Sequence, residues 1–143
     1  LRKLSSRNPS LADVGPIGQL QELSELSLVN MSRISCLEVL RSLPHLRRLE
    51  VDGCRKLRNV DWLIHLPKLR ILSLCDVGMI PSLKPLRKLA NLEAFYASGD
   101  TNIADGDLSV LLDLPKLRQV ALANRKHYTP SSHAIEEMIS AGR

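Results

Sequence analysis

The chain has 143 residues, enough for one modest domain, and 44% of them are hydrophobic, which favours a packed core over disorder. No run of 18 apolar residues occurs, so no membrane-spanning helix is expected. A net charge of +5 and a pI of about 9.4 raise nucleic acid as a partner, while three cysteines with no C-x-x-C spacing suit an intracellular, cytoplasmic setting better than a disulfide scaffold.

The chain opens on Leu1 without a visible signal pattern, as expected of a piece of a longer protein. From Asn8 a chemical step of three appears: Asn8, Leu11, Val14, Ile17, Leu20. A period of 23 then takes over, with five units in one frame. They are Leu20-Leu23-Leu26-Leu28-Met31, Leu43-Leu46-Leu49-Val51-Cys54, Leu66-Leu69-Leu72-Leu74-Val77, Leu89-Leu92-Phe95-Ala97-Asp100 and Leu114-Leu117-Val120-Leu122-Arg125. Between units the three-step returns, as in Leu57, Val60, Leu63 and Leu66. The unit starting at Leu89 is two residues longer, and the extra residues fall in Ala104–Asp107.

An amphipathic helix does not fit. Each step of three rotates an α-helix about 60° off any fixed face, and Pro44, Pro67, Pro85 and Pro115 fall where long helices would have to continue. The L-x-L step has strand period. Each unit is therefore a short strand, a turn and a tight 3₁₀-like or extended return arm.

These residues resemble a leucine-rich-repeat protein: L-x-x-L-x-L-x-x-N/C followed by Cys54-x-x-Leu57-x-x-Val60, from about Asn8 to Arg125. The Gly53-Cys54-x-x-Leu57 style is similar to repeats in the C-terminal arms of NLR-type and STAND-type ATPase receptors and in large kinetoplastid repeat proteins. The resemblance implies an α/β fold: a right-handed solenoid over 1–128 with a parallel concave sheet and short convex arms. Residues 129–143 form a C-terminal capping helix, starting at Thr129 with Pro130 in its first turn, Ile135, Met138 and Ile139 inward, and Glu136 and Glu137 opposite. The asparagine ladder (Asn8, Met31, Cys54, Val77, Asp100, Arg125) is sparse. The preceding row (Asn30, Gly53, Asp76, Gly99, Asn124) tolerates left-handed backbone and marks the strand-end bend.

Side chains flanking the buried positions point out from the concave face. Glu25, Arg48, Glu50, Asp52, Ile71, Ser73, Tyr96 and Gln119 are the candidate protein-binding residues, with Tyr96 the only aromatic among them. Beside them lies a basic rim of Arg47, Lys68, Arg70, Lys116 and Arg118, interrupted by Asn91 and Glu93. Nucleic-acid binding through that rim is the alternative. It is disfavoured because few aromatics are available for base stacking.

No catalytic constellation, metal-ligand spacing or nucleotide-binding motif is present, so a non-catalytic module without cofactors is expected. Asp100, Asp105 and Asp107 lack the pattern of a calcium loop; Asp107 or Asp105 is expected to cap a short helix instead. Cys54 is expected to be buried and Cys75 accessible.

Overall fold

The computed structural model describes residues 2–10 and 13–142. Leu11 of the three-step lies outside them. Six strands form one parallel sheet in the order β1 (Lys3–Ser6), β2 (Glu25–Val29), β3 (Arg48–Asp52), β4 (Ile71–Cys75), β6 (Ala94–Ala97) and β8 (Gln119–Leu122). Two-residue strands β5 (Met79–Ile80) and β7 (Asn102–Ile103) pair separately. Helix α1 (Ser132–Ser140) follows the last strand. Among the described residues, no helix is long and apolar enough to cross a membrane.

The sheet register is the sequence period made physical. Glu25 pairs with Arg48, Arg48 with Ile71, Ile71 with Ala94 and Ala94 with Gln119. Alternation then buries Leu49 and Leu72 completely while leaving Arg48 exposed and Ile71 half-buried. Ala94 is the exception on the open face; its small side chain is covered.

Among the described residues, five 3₁₀ arms back the sheet: Gly15–Gln19, Glu38–Ser42, Asp61–His65, Lys84–Lys88 and Ser109–Asp113. The strict three-step is their hydrogen-bond pattern. Leu43 N–H donates to Leu40 O, Leu66 N–H to Leu63 O, and Leu89 N–H to Leu86 O. Residues three apart eclipse in a 3₁₀ turn, so one face stays inward. Leu37, Leu40, Leu43, Leu63, Leu66, Leu83, Leu86 and Leu89 are fully buried as a result.

At the strand ends, Asn30 (φ 55°), Gly53 (φ 74°), Asp76 (φ 51°) and Gly99 (φ 66°) share the left-handed conformation expected of that row; Asn124 does not. Side-chain-bearing residues alternate with glycine for a packing reason. A Cβ on Gly53 would lie 2.3 Å from Asn30 Oδ1, and one on Gly99 would lie 2.0 Å from Asp76 Oδ1.

The ladder departs from expectation at two places, and the expected cap at Asp107 is a third difference. Asn8 is exposed, its Oδ1 accepting the Ser10 N–H. Asp100 also faces solvent, and Thr101 takes the inward place instead: its Oγ1 donates to Leu74 O at 2.8 Å and accepts the Val77 N–H. Asp107 accepts the Ser109 N–H in an Asx turn but does not cap the following 3₁₀ arm, whose cap position is Leu108. The Ser109 hydroxyl also donates to Asp107, and these bonds hold its carboxyl below the ordinary value.

The tail begins its helix later than Thr129. Thr129 is committed to the repeat backbone: its N–H donates to Gly106 O and its C=O accepts the Leu108 N–H. Ser131 is the cap, accepting the Ala134 N–H at 3.1 Å. Ile135 and Ile139 are buried, but Met138 is 39% exposed. Glu136 does not face solvent opposite them; its Oε1 accepts the Leu122 N–H at 2.8 Å on the edge of β8. Gly142 ends the helix in a left-handed turn.

Candidate interaction face

The candidate site grows from the strand starts. In each unit two consecutive N–H groups converge on one carbonyl of the preceding unit. Arg47 and Arg48 donate to Ser24 O, Arg70 and Ile71 to Arg47 O, Glu93 and Ala94 to Arg70 O, and Arg118 and Gln119 to Glu93 O. Such bulge-like doubling breaks the strict in-out alternation and re-aims side chains. The arginines of the rim and the first concave row therefore share one groove of about 390 Å³, with Arg47, Arg48, Arg70, Ile71, Ala94 and Gln119 in its wall, whereas Lys68 and Lys116 line a neighbouring depression.

Part of the basic rim is tied down from within by one carboxylate. Glu93 accepts from Arg70 Nε with one oxygen and from Arg118 Nη2 at 2.6 Å with the other. The bond from Arg70 is the main reason the Glu93 carboxyl sits below its ordinary value, opposed by desolvation and assisted by the nearby charges of Arg70, Arg118 and Lys116. Lys116 Nζ donates to Asn91 Oδ1, and Lys68 Nζ lies 3.3 Å from His45 Nδ1. Arg70, Arg118 and Lys116 of the rim thus have partners within the chain. Glu93 was set aside as an interruption, yet it stands 23 residues after Arg70 and 25 before Arg118, where the repeat stacks them together.

The other candidates lie along the same face. Glu25 pairs with Lys3 at 2.9 Å. Tyr96, half-buried, donates its hydroxyl proton to Gln119 Oε1 at 3.2 Å, so two candidates hold each other. Glu50 is half-buried beside Ser27 and Arg48 in a smaller depression of about 170 Å³. Ser73 pairs across strands with Glu50 and Tyr96.

At the strand ends Asp52, Cys75 and Asp76 bring one ligand-capable atom each within 4.8 Å of one another, the one such trio among the described residues. Asp76 already serves the fold, its Oδ1 accepting the Asp100 N–H at 2.8 Å, so one of its oxygens is in use. Cys75 is half-buried rather than open, and the Ser98 hydroxyl donates to its sulfur at 3.1 Å. Cys54 is buried as expected, and desolvation pushes its thiol above the ordinary value. Cys36, exposed, is also unpaired. Arg55 bonds Asp100 at 2.9 Å, which is the main cause of the lowered Asp100 carboxyl.

No protein-family model matches the chain, and no curated protein matches it. Solved structures do. An internalin C2 of Listeria monocytogenes aligns with a TM-score of 0.74 at 28% identity, over 85% of this chain and 51% of its own. The LRR ectodomain of the receptor kinase SOBIR1 from Arabidopsis thaliana aligns at 0.65 and 24% identity, over 88% and 68%. An internalin (inlF) of Listeria monocytogenes aligns at 0.58 and 21% identity, over 86% and 41%. The last two speak to fold alone. This chain spans about half the length of the internalin C2 chain. None of the three is an NLR-type or STAND-type receptor or a kinetoplastid protein, so that finer likeness rests on the Gly53-Cys54-x-x-Leu57 motif. The 23-residue register, the parallel sheet backed by 3₁₀ arms and these likenesses make the chain a leucine-rich-repeat protein.

Proposed function

We infer that the chain is a non-catalytic protein-interaction module, a recognition arm or scaffold of a larger protein, that binds its partner through the concave sheet face. The observation that carries this is the state of that face. Its strands hold Arg48, Glu50, Ile71 and Tyr96 in fixed rows, and none of these is consumed in the core. Leucines on the opposite face do that work. Tyr96 braced on Gln119, with Ile71 on the neighbouring strand, forms the desolvatable centre that interfaces use as a hot spot. Unpaired Cys36, Cys54 and Cys75 support an intracellular setting.

The test needs the partner isolated by affinity capture and titrated by calorimetry. Tyr96→Ala and Ile71→Ser should each weaken binding by more than about 1 kcal/mol, with melting unchanged. Arg118→Glu should matter less, since Glu93 already holds that guanidinium. Loss of binding in Lys68→Glu, Lys116→Glu or Arg118→Glu together with a silent Tyr96→Ala would overturn the reading in favour of the rim.

A further inference from the structure

We propose that the groove at the strand starts seats an acidic, extended segment of the partner protein, with a side-chain carboxylate held by Arg47 and Arg48. This rests on the reading of the concave face as a protein-binding surface and names the chemistry it selects.

Among the described residues, two arginines of this groove keep unoccupied guanidiniums. Four arginines and two glutamates line the groove. Lys3 pairs with Glu25, and Glu93 bonds both Arg70 and Arg118, a trio that keeps one net positive charge but whose guanidinium forks are occupied. Arg47 and Arg48 remain, exposed and without an ion-pair partner among the described residues. The doubled N–H contact to Ser24 O is what puts these consecutive side chains in one groove. Two guanidiniums, each with a planar fork of donors, match a carboxylate that can accept from both. Next to them the wall is Ile71 and Ala94, with the Gln119 amide beyond. An acidic residue followed by small or apolar ones fits that sequence of surfaces.

A nucleic-acid strand fits less well. Successive phosphates need a continued row of free cations, but the row is interrupted at Glu93, whose negative charge lies in the groove and occupies Arg70 and Arg118. Tyr96, the one aromatic of the open face, is not in the groove wall to stack a base.

The experiment uses three fluorescein-labelled probes: a ten-residue peptide of alternating Glu and Ala, its Gln-for-Glu counterpart, and a ten-nucleotide oligo(U) RNA. Fluorescence anisotropy is measured at about 0.15 M salt, where long-range attraction is screened. The Glu peptide should bind, and the Gln peptide and the RNA should bind at least about tenfold more weakly. Arg47→Ala and Arg48→Ala should each weaken the Glu peptide about fivefold or more, while Arg118→Ala changes it less than about twofold. Equal binding of both peptides, tighter binding of RNA, silence of both Arg47→Ala and Arg48→Ala, or no binding of the Glu peptide overturns the proposal. If it falls while Tyr96→Ala still weakens the captured partner, the protein-binding reading stands. If Tyr96→Ala is silent as well, both fall. Circular dichroism melts of each variant confirm that the fold is kept.

Discussion

Gly53 illustrates how a single hydrogen atom at Cα decides a residue's fitness here. Its φ of 74° disfavours any side chain, and a methyl group would overlap Asn30 Oδ1 at 2.3 Å. Gly53→Ala should therefore cost about 1–3 kcal/mol in urea unfolding. Adding Asn30→Gly should recover part of that, because the first clash is with the asparagine side chain; strict additivity of the two changes would refute the contact. Gly142→Ala, with φ 76° but nothing within 4 Å, should cost only the conformational part. Thr101→Val keeps the shape but removes the donor to Leu74 O and leaves the Val77 N–H without its acceptor, so a loss of about 1–3 kcal/mol is expected. Glu93 adds a pH dependence. Its folded-state carboxyl lies below the ordinary 4.5, so the folded chain binds its proton less readily than the unfolded chain does. The stabilisation is complete above the ordinary value and is lost as pH falls through the lowered one. Urea midpoints taken between about pH 6 and pH 3 should fall more steeply in the parent than in Glu93→Gln. Parallel curves would remove Glu93 from the acid limb.

At the scale of elements, the arms were legible in the sequence and the tail only partly. A three-step of leucines is a direct imprint of i to i+3 hydrogen bonding, so periodicity and structure coincide from Leu37 to Leu46. The helix start was obscured because Pro130 mimics a first-turn proline, while Thr129 is in fact tied to Gly106 and Leu108, residues more than 20 positions away that no local pattern reveals. The same holds for Glu136, whose partner is a backbone N–H on β8. That contact gives the tail its role at the sheet edge. Glu136→Ala should cost about 1 kcal/mol by freeing the Leu122 N–H. Deleting 129–143 removes Ile135 and Ile139 from the core as well. The truncated chain should melt lower and self-associate, by scanning calorimetry and light scattering; a monomer with unchanged melting would deny the helix its capping role. The candidate face divides in the same way. Its rows follow from the period of 23, whereas the shared groove depends on bulge-like strand starts, a backbone feature with no residue signature of its own.

Across the whole molecule, an overall charge of +5 suggests a surface ready for polyanions, but Arg70 of the third unit and Arg118 of the fifth share the Glu93 carboxylate, and Lys116 is hydrogen-bonded to Asn91. Net charge counts the unbalanced charges but does not say which of them still have free donors. A last consequence concerns editing. Repeat arrays are often treated as beads that can be removed singly, since each unit contacts only its neighbours. Here the bends alternate Asn30, Gly53, Asp76, Gly99, and each bulky bend fills the space above a glycine. The true module is a pair. Excising Arg48–Arg70, which is 23 residues, would set Asn30 against Asp76, two side chains competing for one space. Excising Arg48–Glu93, which is 46 residues, would set Asn30 against Gly99 and restore the fit. The shorter protein should then be the better folded of the two, a parity rule that sharp, dispersed amide spectra of the 46-residue deletion beside broadened ones of the 23-residue deletion would display.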